Sequence, residues 1–230
     1  MIDFNILVEK VHEQESKRRG GNVEYPYQHY LMLIAKALGE SVRTPGQRLS
    51  VAVPDYRQFT EDISKGFDVA YNTHFIGTAF DSMAEAAIRI FDLLSIRGIE
   101  ICGMDNFTIN QAPIGFADEG HFPFMSLYVF DLIGALTHLS EKECSILDCL
   151  RLYEKDPSDK ELEKVIEETF GEVENGDDIQ IRTSYGFENY IIHTRLMPVL
   201  NSIAAWFKLQ GGKRLVWHVN ARLYYLSHFE

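Results

Sequence analysis

The sequence predicts an all-α protein, a bundle of packed helices, and three observations carry that expectation. Apolar residues recur at i, i+3 and i+4 through most of the chain. Alternating apolar runs bounded by turn residues, the mark of strands, are nearly missing. With 230 residues, 46% of them hydrophobic and 12% aromatic, the chain can fill a sizeable core.

Taken in order, Ile2, Phe4, Leu7, Val8 and Val11 set the stripe of a first helix, which Gly20-Gly21 ends. A second helix follows Pro26, with Tyr30, Leu31, Ile34, Ala35 and Leu38 on its apolar face. Leu49 to Val53 alternates like a short strand, although an extended linker fits equally. A short helix is expected over residues 57–67 and a strongly apolar one over 81–96, stopped at Gly98, with Ile88, Phe91 and Leu94 expected in the core alongside Ile34. Residues 103–120 hold no period and read as a connection between two parts. Helices then resume over 124–139, 141–153 and, after Pro157-Ser158, through Leu162, Val165, Ile166 and Phe170. The stretch 187–209 is long and amphipathic, and Pro198 should kink it or split it. An aromatic-rich segment, Leu215 to His228, closes the chain.

Charge and cysteine usage narrow the function classes. The net charge of −12 opposes unassisted binding to nucleic acid or to an anionic membrane, since both require Lys and Arg to meet phosphates. Between Glu141 and Asp178 fourteen acids stand against five bases, which reads as a solvated acidic surface or a face for a basic partner. Cys102, Cys144 and Cys149 show no zinc-site spacing and fit a reducing, cytoplasmic setting. The most apolar run, 122–139, has Asp131 at its centre and is expected to be a core helix, not a membrane span. No serine-hydrolase elbow, P-loop or dinucleotide-binding glycine pattern occurs.

The stretch Asp81 to Glu100 carries the chemistry. Asp81, Glu85 and Asp92 fall close to one helical stripe, and a row of carboxylates on a rigid helix suits a hard divalent cation. Two structural readings account for the same residues. Ser82-x-x-Glu85 is also a capping box, and Glu85 with Arg89 is a well-oriented i,i+4 ion pair.

Several segments in order resemble one family. Leu7-Val-Glu-Lys-Val-His-Glu13, Leu31-Met-Leu-Ile-Ala-Lys-Ala-Leu-Gly-Glu40 and Ala84-Glu-Ala-Ala-Ile-Arg-Ile-Phe-Asp-Leu93, ending in Gly98-Ile-Glu100, look like successive helices of the MazG-like all-α nucleotide pyrophosphohydrolases, relatives of the dimeric dUTPases. The resemblance covers about residues 3–100. It implies a helical unit over residues 1–105 and a magnesium ion held by an E-x-x-E pair and an E-x-x-D pair. In this chain those pairs read Ala37-x-x-Glu40 and Ser82-x-x-Glu85, with Asp81 beside the second, so two of four carboxylates are replaced. Residues 106–230 would form a second helical unit, a diverged repeat packed on the first. Within it, Trp217 to Leu226 is similar to the family's last segment, with Arg222 where a nucleotide-contacting residue is expected.

Three functions follow from these readings. In the first, Glu40, Asp81 and Glu85 hold magnesium, with Glu40 and Glu85 as the catalytic carboxylates. Water activated by the ion cleaves a nucleoside triphosphate to monophosphate and pyrophosphate, and Arg89 and Arg222 meet the substrate. Arg89 and Asp92 read alternatively as a supporting or structural pair. In the second, a degenerate relative keeps the fold as a binding or regulatory module. In the third, the chain is an unrelated acidic interaction protein. The first two imply a nucleotide partner and a homodimer or an intramolecular pseudo-dimer.

Overall fold

The computed structural model describes residues 4–21, 25, 27–41, 54–99, 142–170, 182–192, 196–209 and 213–229. Among them the chain is entirely helical, as the apolar periodicity predicts. The helices are α1 (Phe4–Arg18), α2 (Tyr27–Ser41), α3 (Tyr56–Asp62), α4 (Phe67–His74), α5 (Ala79–Ile96), α6 (Lys142–Lys155), α7 (Lys160–Phe170), α8 (Ser184–Ile191), α9 (Met197–Leu209) and α10 (Leu215–Phe229). A single 3-10 turn, Ile63–Lys65, joins α3 to α4. The strand expected near Leu49 to Val53, the helix expected over 124–139 and the boundary expected near residue 105 lie outside the described residues.

Two compact units emerge. One comprises Met1–Ile133 and Val199–Glu230, the other Gly134–Pro198. The final helix therefore belongs with the N-terminal part of the chain.

In the larger unit α5 is the central element. It packs against α1, α2 and α10 and buries fourteen residues around nearly its whole circumference. A helix apolar on all sides is one enclosed by others. Ile34, Ile88, Phe91 and Leu94, expected in the core, are all buried here. Local signals set its ends. Thr78 caps the N-terminus, its hydroxyl accepting from the Asp81 N–H at 3.3 Å, so the cap lies four residues before the Ser82 that the sequence offered. At the other end Gly98 takes a positive φ of 63°, open to glycine without strain, and the Ile99 N–H returns to the Leu94 carbonyl at 2.9 Å.

The short helix expected over 57–67 is α3 with the 3-10 turn, and α4, which the periodicity did not announce, follows directly. Asp55 caps α3 by accepting from the Arg57 and Gln58 N–H groups, and Gly66 at φ 125° turns the chain into α4. This turn folds Phe59, Tyr71 and Phe75 onto Ala221, Tyr225 and Leu226 of α10, with Trp217 at the edge. Phe59 and Phe75 meet edge-on at 4.9 Å, a favourable aromatic geometry.

In the smaller unit α6, α7 and α8 bury Leu147, Leu150, Ile166, Phe187 and Ile191. Glu154 accepts from both the Ser184 N–H (2.7 Å) and the Ser184 hydroxyl (2.6 Å), tying α6 to the start of α8. The long helix expected over 187–209 falls on α8 and α9, and residues 193–195, where a kink or split before Pro198 would show, lie outside the described residues.

Candidate functional site

The carboxylates of α5 face arginines. Asp81 sits in the first turn, where the helix dipole favours negative charge, and is buried. It accepts from Arg222 Nη1, delivered by α10, and from the Tyr71 hydroxyl at 2.9 Å. Arg222 Nη2 reaches the Glu85 carboxylate at 2.5 Å, so a single guanidinium spans both acids. From the opposite side Arg89 donates to Glu85 at 3.3 Å, the i,i+4 pair expected from sequence, and also to Glu15 of α1. Arg18 adds a 3.1 Å bond to Glu15. The result is a chain of alternating charge, Asp81–Arg222–Glu85–Arg89–Glu15–Arg18, which staples α1, α5 and α10 together.

Asp92, fully buried two turns further on, is met by both terminal nitrogens of Arg19, one at 3.2 Å, and lies 3.4 Å from His12 Nδ1. A forked guanidinium on a carboxylate is the strong form of this interaction.

The electrostatics follow from burial and pairing together. Burial works against the Arg222 charge, yet Asp81 and Glu85 outweigh it and push that guanidinium above its ordinary value. Glu85 is likewise penalised by burial but is held below its ordinary value by Arg222 and Arg89. Burial pushes Asp81 up, against Arg222 and the Tyr71 hydrogen bond. Burial, with the Asp81 charge second, raises Tyr71 and keeps its hydroxyl a donor.

Glu40, the remaining expected ligand, stands on α2 with its side chain 39% exposed and Lys36 at 3.8 Å. Among the described residues no three His, Cys, Asp or Glu side chains form a group able to hold a metal ion. Glu85 has both carboxylate oxygens bonded to arginines, and Asp81 has Oδ1 bonded to Arg222 and Tyr71. Arg222 and Arg89 thus place two positive charges beside the α5 carboxylates. Arg89 and Arg222, expected to meet substrate, are both spent on internal carboxylates.

Beside this network lies a cleft of about 240 Å³ between α1, α2 and α5. Arg18, Arg19 and Arg89 line it together with Tyr25, His29 and Tyr30, while Glu15 and Asp92 supply its acids. The rings of Tyr25 and His29 lie 4.4 Å apart, and Tyr30 meets each of them edge-on. Sequence reading missed this constellation apart from Arg89 and Asp92. Its only local signal was the run of basic residues ending α1; the partners of Arg19 and Glu15 are 73 and 74 positions away.

Among the described residues no helix is long and apolar enough to cross a membrane. No protein-family model, curated protein or solved structure matches the chain.

Proposed function

We propose that this chain is a degenerate relative of the MazG-like pyrophosphohydrolases, a helical binding or regulatory module that does not turn over a nucleotide. The observation that supports this reading is Arg222. Its guanidinium spans Asp81 and Glu85, the two α5 carboxylates that a magnesium-dependent enzyme would direct at its ion. A cation built into the protein neutralises them without a metal, and displacing it would leave a buried arginine unpaired, a costly exchange. The competing reading, magnesium-dependent cleavage of a nucleoside triphosphate with Glu40, Asp81 and Glu85 holding the ion, requires Arg222 to withdraw first.

Calorimetric titration with magnesium and a panel of nucleoside triphosphates, together with a pyrophosphate-release assay, separates the two. The module reading expects neither magnesium binding nor pyrophosphate release. Magnesium-dependent release that disappears in Glu85→Gln, a change that preserves shape and removes one charge, would establish the enzyme instead.

A further inference from the structure

We draw no further inference here: the strongest candidate, the partly exposed aromatic patch that Phe67 of α4 forms with Tyr224, His228 and Phe229 of α10, is an unpartnered face, and nothing in the structure shows what covers it.

Discussion

His218 makes the stability of the larger unit depend on pH, and the size of the effect follows from its surroundings. The imidazole is buried on α10 among Phe80, Phe207, Trp217, Phe75 and Tyr56, with ring centroids 4.6 to 5.9 Å away. Its Nε2 lies 2.9 Å from the Tyr56 hydroxyl. Burial holds its pKa down to about 3, against the ordinary 6.5. As pH falls through 6.5 the unfolded chain takes up a proton at this residue and the folded chain does not, so stability drops until pH reaches about 3. Each pKa unit of difference is worth about 1.4 kcal/mol, which makes the loss between pH 7 and pH 5 about 2 kcal/mol from this residue alone. His218→Gln cannot titrate and keeps a polar partner for Tyr56. It should be less stable than the parent at pH 7 because it repacks an aromatic site. Its further loss between pH 7 and pH 5 should, however, be smaller than the parent's by about 2 kcal/mol. Urea unfolding followed by tryptophan fluorescence is the suitable assay, since the chain has two tryptophans and both Trp206 and Trp217 belong to this unit. Parallel pH dependence in the two proteins would refute the assignment of His218 as a buried neutral imidazole.

Three further outcomes are expected. Phe91→Ala removes a fully buried ring from the central helix and should cost about 3 to 5 kcal/mol, visible as a clear fall in melting temperature. Arg222→Met should cost about 3 to 5 kcal/mol by stranding the buried Asp81 carboxylate, and adding Asp81→Asn should recover part of that loss in a double-mutant cycle; strictly additive losses would show that the pair is not coupled. Thr78→Ala should cost about 1 kcal/mol in chemical denaturation, whereas Ser82→Ala should cost less, because Thr78 is the residue that caps α5.

The local periodicities were sufficient for the class of the fold and for most of its helices. Helical stripes on α2 and α5 identified Ile34, Ile88, Phe91 and Leu94 as core, because the buried face of a helix is written in residues three and four apart. Gly20 and Gly98 marked helix ends for equally local reasons of backbone geometry. The Glu85–Arg89 pair was legible in the same way. What tertiary structure alone decided is the fate of the α5 carboxylates. Asp81, Glu85 and Asp92 look alike on a helical wheel whether a metal or a guanidinium awaits them, since spacing fixes direction but not the partner. Arg222 lies 141 positions from Asp81, and Arg19 lies 73 from Asp92. Only the packing of α10 and α1 against α5 brings those charges together. The cleft, too, exists only where Tyr25, His29 and Tyr30 are folded against Arg19 and Arg89, because no single helix carries enough of it to be recognised.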